Sequence, residues 1–254
     1  MANKPRPPTK FSPLPPRVDG DGNHIHNTIL LDLPRKERQL LFPKLELVRL
    51  KTHHRLHEPG DTLKSAYFCN TGLVSVLTVF PDGKSVEVGL IGNEGFVGVP
   101  LVAGLRTTPT RAIAQIEGTA FRLDSETLMP ILRQCPKLER RLQQFSQALA
   151  MQATQIAACN RVHEVDERLA RWLLMSADRV GSNSVPLTQG FLAQMLGTRR
   201  ASVTVAAGIL QRAGLISNTR GDVQVLDRQK LEEASCECYG IMQRQIKDWQ
   251  SDSQ

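Results

Sequence analysis

The chain has 254 residues, enough for two domains or one large one. Hydrophobic residues make up 41% of it, which supports real cores, and no apolar run is long enough to span a bilayer, so no membrane partner is expected. A net charge of +7 and a pI near 9.4 favour an acidic partner, of which nucleic acid is the commonest.

Residues 1–24 contain Pro5, Pro7, Pro8, Pro13, Pro15 and Pro16 with little apolar content, so they are expected to form an unstructured tail. They lack the apolar segment of a signal peptide. Over residues 29–50, Leu30, Leu31, Leu33, Leu40 and Leu41 give a helical pattern, with Asp32-Leu33-Pro34 as a helix start. Short β-type runs separated by glycines follow from residue 48 to residue 123. Residues 74–80 read as one strand, 81–84 as a tight turn and 85–90 as the returning strand, with period-two alternation. The expectation for residues 25–124 is therefore a small antiparallel barrel or roll.

The chain turns helical again at Ser125. Leu138, Leu142, Phe145, Leu149 and Ile156 fall at heptad spacing, with Gln152 in the missing position. Residues 125–162 are accordingly expected to form a long helix whose stripe is a homodimer interface. Arg168, Leu169, Ala170, Trp172, Leu173 and Leu174 open a C-terminal domain, set at residues 163–240, with a tail at 241–254.

Within that domain, Thr188 can cap a helix carrying Leu192, Met195 and Leu196. Gly197 stands where the chain must turn, and a second helix follows with Val203, Ile209 and Leu210 as its apolar positions. This is a helix-turn-helix, whose second helix normally enters the DNA major groove. Thr198, Arg199, Arg200, Ser202 and Thr204 sit at its start. Residues 215–226 read as two short strands around a turn, a wing with Arg220 at its tip. No carboxylate occurs between Asp178 and Asp222, while Arg179, Arg199, Arg200, Arg212 and Arg220 do, which keeps the local potential positive for a polyanion.

The cysteines Cys69, Cys135, Cys159, Cys236 and Cys238 are scattered and odd in number, which argues against a disulfide framework and fits a reducing cytoplasm. Cys236-Glu237-Cys238 lacks C-x-x-C spacing, so a passive role is read for the cysteines, surface positions for His53, His54 and His57, and no metal site. No paired acid and base, nucleophile elbow or metal motif points to an enzyme.

The order helix, roll, long helix, winged helix resembles the family of the cyclic-AMP receptor protein and the fumarate-nitrate regulator. The likeness rests on Glu58-Pro59-Gly60-Asp61, Gly92-Asn93-Glu94-Gly95-Phe96, residues 165–177, the helix-turn-helix at 187–210 and the wing at 215–227. It implies an α+β chain with a cyclic-nucleotide-binding-like β-roll, a long dimerisation helix and a C-terminal winged helix-turn-helix. It also implies a homodimeric cytoplasmic transcription factor that binds double-stranded DNA and works with RNA polymerase. Arg200 matches the family's guanine-reading arginine, while Ala201 replaces the neighbouring glutamate and Val205 a further polar base reader.

The resemblance also gives Glu94, Arg111 and Thr154 as effector residues. The order Thr110-Arg111-Ala112, however, exchanges the arginine and small polar residue of the family's phosphate clamp. A one-residue shift in a strand sends a side chain to the other face, so cyclic-nucleotide binding is disfavoured and the effector stays unassigned. With one cysteine in the first 130 residues, no iron–sulfur cluster is expected; no haem ligand pair stands out. Two readings remain: a regulator responding to a small effector, or a constitutive DNA-binding regulator whose roll is structural.

Overall fold

The computed structural model describes residues 17–19, 22–187, 189–219 and 221–251. The prolines of the expected tail, Thr188 and Arg220 lie outside the described residues. The chain begins with a short antiparallel pair, β1 (Arg17–Val18) and β2 (His24–Ile25), so residues 17 and 18 are paired where an unstructured tail was expected. The leucine pattern after it is not one helix. It divides into α1 (Thr28–Leu31), capped by Asn27 through the Leu30 amide, and α2 (Arg35–Leu41). Pro34 stands between them in an extended conformation, and proline disfavours helix in the residue before it. Residues 46–50, included in the helical pattern, are a strand.

That strand is β3 (Glu46–Leu50), followed by β4 (Arg55–His57), β5 (Ser65–Cys69), β6 (Leu73–Val79), β7 (Ser85–Ile91), β8 (Phe96–Val97), β9 (Thr110–Ile116) and β10 (Gly118–Asp124). Among the described residues they form two four-stranded antiparallel sheets, in the orders β3-β10-β5-β8 and β4-β9-β6-β7. This is the expected roll. Its interior holds Phe68, Phe96, Phe121, Val74 and Ile91. Alternation along β7 runs opposite to the apolar-inward reading: Ser85, Glu87 and Gly89 are buried, whereas Val86 and Val88 are half-exposed. The cause is a second layer, because the outer face of this sheet is covered by the C-terminal domain.

Helix α3 (Ser125–Leu132) leads to the 27-residue α4 (Pro136–Val162), about 40 Å long at 1.5 Å per residue. After it come α5 (Val165–Val180), β11 (Ser184–Val185), α6 (Gln189–Met195), α7 (Arg200–Arg212), β12 (Ile216–Thr219), β13 (Asp222–Val225), α8 (Arg228–Glu233) and α9 (Cys238–Ser251). Strands β11, β13 and β12 form the wing sheet. Residues 241–251, read as a tail, belong to α9, which packs on α4 and buries Trp249 against Phe145, with ring centroids 5.9 Å apart.

The α4 stripe packs within its own subunit. Leu138, Leu142 and Phe145 belong to the roll's core, with Leu149 packed on it, and the Phe145 ring lies 5.4 Å from that of Phe96. Gly95 makes this possible, because a Cβ there would overlap the Phe145 ring. The Gln152 carboxamide accepts a 2.6 Å bond from the Leu90 amide, and Ile156 joins the core of the C-terminal domain. The expected dimer seam of Leu138, Leu142, Phe145, Leu149, Gln152 and Ile156 is therefore corrected: heptad spacing marks a buried face, and here the roll and α9 cover most of it, while Ile156 joins the C-terminal core.

Candidate functional site

The helix-turn-helix is built by α6 and α7. Gly197 turns the chain between them with φ of +59°, in the left-handed region that glycine enters without strain. Its missing side chain also lets Val86 of the roll approach, for a Cβ would stand 2.7 Å from Val86 Cγ2. The Thr198 amide bonds Ala193 O at 3.0 Å, and the Arg168 guanidinium donates to Leu196 O, clamping the turn to α5. Val203, Ala206, Ala207 and Leu210 bury the inner face of α7. Ile209, read as an apolar core position, is exposed instead.

The outer face is exposed at Arg199, Arg200, Ala201, Thr204 and Val205, with Thr198 and Ser202 half-buried beside them. Arg199 caps the helix in extended conformation and Arg200 is its first residue. The Thr204 hydroxyl donates back to Arg200 O at 3.0 Å. Arg212 is exposed at the far end of the helix. Arg179, counted among the arginines facing a polyanion, is not there. It is buried, with Nε 2.8 Å from Glu94 Oε1.

That ion pair changes the sensor reading. Glu94, expected at an effector, spends one carboxylate oxygen on Arg179 of α5 and the other on the Gly92 amide at 3.1 Å. Arg111 is held by Glu58, with Nε 3.0 and 2.9 Å from the two carboxylate oxygens and Nη2 2.8 Å from Oε2. Thr154 is exposed on α4 and bonds Ala150 O of its own helix. The three expected effector residues thus stand in three different places.

A separate cavity of about 260 Å³ lies between the roll and α4. Val76, Val88, Ile91, Val97 and Val99 line it together with His57. His53 and His54 are exposed as expected, but His57 is buried, and its Nε2 has no hydrogen-bond partner among the described residues. Desolvation by burial holds His57 below the usual imidazole range, against the opposing pull of Asp61 and Glu58.

Sequence reasoning missed the junction between roll and DNA-binding domain. Leu73, Leu77, Leu90 and Ile116 of the roll share one buried cluster with Trp172, Leu173 and Leu196. In its midst Glu87 accepts from Trp172 Nε1 at 2.8 Å and from Ser75 Oγ at 2.5 Å. Burial pushes its carboxyl up to about 7, although these two bonds and the charges of Arg171 and Arg179 pull it down. Beside α7, the roll's Phe80–Val86 hairpin lines one cleft with Thr198, Arg199 and Ser202, and Gln194 Nε2 donates to Ser85 Oγ at 2.5 Å. The sequence shows Glu87 only as one of the polar positions of an alternating strand, which reads as solvent-facing.

The cysteines, read as scattered and passive, are not all apart. Cys159 Sγ lies 3.5 Å from Cys236 Sγ, and Cys238 Sγ lies 3.7 Å from His163 Nδ1. Among the described residues, no helix is long and apolar enough to cross a membrane.

Comparison with known proteins agrees with this architecture. Residues 47–135 match the model of the cyclic nucleotide-binding domain, and residues 167–234 match that of the Crp-like helix-turn-helix domain. The transcriptional regulator LdrP of Thermus thermophilus is 26% identical over 183 residues, covering 68% of this chain and 88% of that protein. The global nitrogen regulator of a Synechocystis species is 25% identical, covering 66% and 78%. Among solved structures, the c-di-GMP responsive global regulator CLP of Xanthomonas campestris superposes with a TM-score of 0.63 at 17% identity, covering 75% of this chain and 98% of that one. FixK2 of Bradyrhizobium japonicum gives 0.62 at 15%, covering 76% and 98%. With a cyclic-nucleotide-binding-type roll joined by a long helix to a Crp-like winged helix-turn-helix, the chain belongs to the Crp/Fnr type of DNA-binding transcriptional regulators.

Proposed function

We propose that the chain works as a cytoplasmic homodimer that reads a two-fold symmetric operator with α7, acts on transcription through RNA polymerase, and does so without a cyclic nucleotide. The observation that carries the last point is the engagement of Arg111 with Glu58 and of Glu94 with Arg179; among the described residues no lysine or arginine lines the cavity between roll and α4. A cyclic phosphate transferred into an apolar cavity without a charge partner is unfavourable. The valine lining and His57 Nε2, which has no hydrogen-bond partner among the described residues, suit a small uncharged ligand with one polar group.

The dimer face in this reading is the side of α4 that the roll leaves open. Gln147, Ala150, Met151, Thr154, Ala157 and Ala158 are exposed there at spacings of three and four, and Met151 is an exposed large apolar side chain. Small residues let two helices approach closely, and a pair of α4 helices would carry two α7 helices at a fixed separation. On α7, Arg200 supplies a guanine contact, Thr198, Arg199, Ser202 and Thr204 supply polar and phosphate contacts, and the exposed methyl groups of Ala201 and Val205 suit thymine. Thr188 and Arg220, which lie outside the described residues, are proposed as further DNA contacts.

A gel-shift titration at one fixed salt concentration tests the effector part, with cyclic AMP and cyclic GMP each absent and present. Equal operator affinity is expected. A tenfold rise in affinity with a nucleotide, about 1.4 kcal/mol of coupling, would contradict it.

A further inference from the structure

We propose that Cys159, His163, Cys236 and Cys238 bind one zinc ion that fastens the end of α4 to the start of α9. Their donor atoms all lie within 4.8 Å of one another. A tetrahedral zinc site with Zn–S near 2.3 Å sets its donors about 3.8 Å apart. The Cys159–Cys236 and Cys238–His163 separations of 3.5 and 3.7 Å are already close to that. Three sulfurs and one imidazole make a donor set for a closed structural site, and all three cysteines are buried.

The surroundings fit a metal better than they fit idle thiols. Cys159 and His163 sit four residues apart at the C-terminal end of α4, where the helix dipole favours a cation; Cys238 is the first residue of the 14-residue α9, where it favours a thiolate. His163 Nε2 lies 3.0 Å from Glu237 Oε2, a carboxylate that fixes the tautomer and leaves Nδ1 free to face Cys238. Gln155 Nε2 donates to Cys238 Sγ at 3.0 Å. Three thiolates around a divalent ion leave one net negative charge, and buried Arg171 stands close enough to act on Cys159 and Cys236. Its Nε has no partner among the described residues, and its Nη1 reaches only a thioether, Met175 Sδ, at 3.4 Å. Its charge also acts on Glu87, whose burial disfavours the carboxylate, so a further anionic group lowers the cost of burying this guanidinium. Binding releases the three thiol protons to solvent and involves no change of oxidation state.

The test is the metal content of the full chain, produced without a histidine tag and purified without chelator. About one zinc per chain is expected. Cys159→Ser and Cys236→Ser should each lose it, while Cys69→Ala, a cysteine of the roll, should keep it. A ligand variant can also fail to fold, so the wild-type chain carries a second readout. Cobalt(II) in place of zinc should give the visible absorption of a tetrahedral thiolate site, and chelation should lower the unfolding midpoint until zinc is restored. A wild-type chain that holds less than about a tenth of an equivalent of metal and melts alike with and without chelator overturns the proposal. So does a Cys159–Cys236 disulfide found by alkylation and mass spectrometry.

Discussion

Arg200 and Glu87 make opposite demands on their surroundings. Arg200 is exposed at the start of α7 and needs a partner from outside. If it reads guanine, Arg200→Ala costs about 1–3 kcal/mol of operator binding and relaxes preference at one base pair per half-site. Quantitative gel shifts on operator variants check this; a loss equal on all sequences would make it a phosphate contact. Glu87 is buried between roll and α5 with its carboxyl pushed up to about 7 from 4.5. Protonation therefore favours the folded state. The contribution is complete below about pH 4.5 and is lost as pH rises through about 7, a span worth about 3 kcal/mol. Melting curves from pH 5 to 8 should show wild type losing stability relative to Glu87→Gln, which keeps one acceptor oxygen for Trp172 and turns an amide donor towards the Ser75 hydroxyl, which can accept; parallel profiles would sink this. Residue placement was legible where a motif puts the side chain on a helix face, as with Arg200 at the exposed start of α7. They were not where a partner arrives from far along the chain, as Arg179 does to Glu94 and Cys236 to Cys159.

Helix α4 carries two stripes, and the sequence shows them unequally. Leucines and Phe145 at heptad spacing announce a buried face, but the same spacing serves a dimer seam or a single subunit, and only Gly95 and Trp249 reveal which neighbour fills it. The second stripe, Gln147 through Ala158, is too polar and small to signal itself. The two separate by experiment. Phe145→Ala should destabilise each subunit by about 3–5 kcal/mol, read by chemical unfolding, yet leave the association state unchanged in sedimentation. Ala157→Glu should leave the subunit folded and produce monomers, because like charges then meet between helices. Dimers that persist in Ala157→Glu but dissociate in folded Phe145→Ala would restore the heptad seam. At the same scale the roll and wing hairpins were legible from turn residues between β-type runs. The strand at residues 46–50 was not, because its leucines continue a helical count across Pro43.

For the whole molecule, the roll and the DNA-binding domain share one buried cluster, the Glu94–Arg179 ion pair and the Glu87–Trp172 hydrogen bond. The helix-turn-helix is thereby joined to the roll through packed side chains, and the Phe80–Val86 hairpin shares a cleft with Thr198 and Arg199 at the start of α7. Removing one partner of that buried pair, as in Glu94→Ala, should cost about 3–5 kcal/mol, seen as a lower unfolding midpoint; an unchanged midpoint would show that the pair does not hold the domains together. In the proposed dimer, two copies of α7 read DNA as a symmetric pair. Selection of binding sites from random DNA tests it most directly. Two inverted half-sites with centres about 10 base pairs apart, each with a guanine whose preference disappears in Arg200→Ala, are predicted. Enrichment of a single unpaired half-site, or none at all, would contradict it.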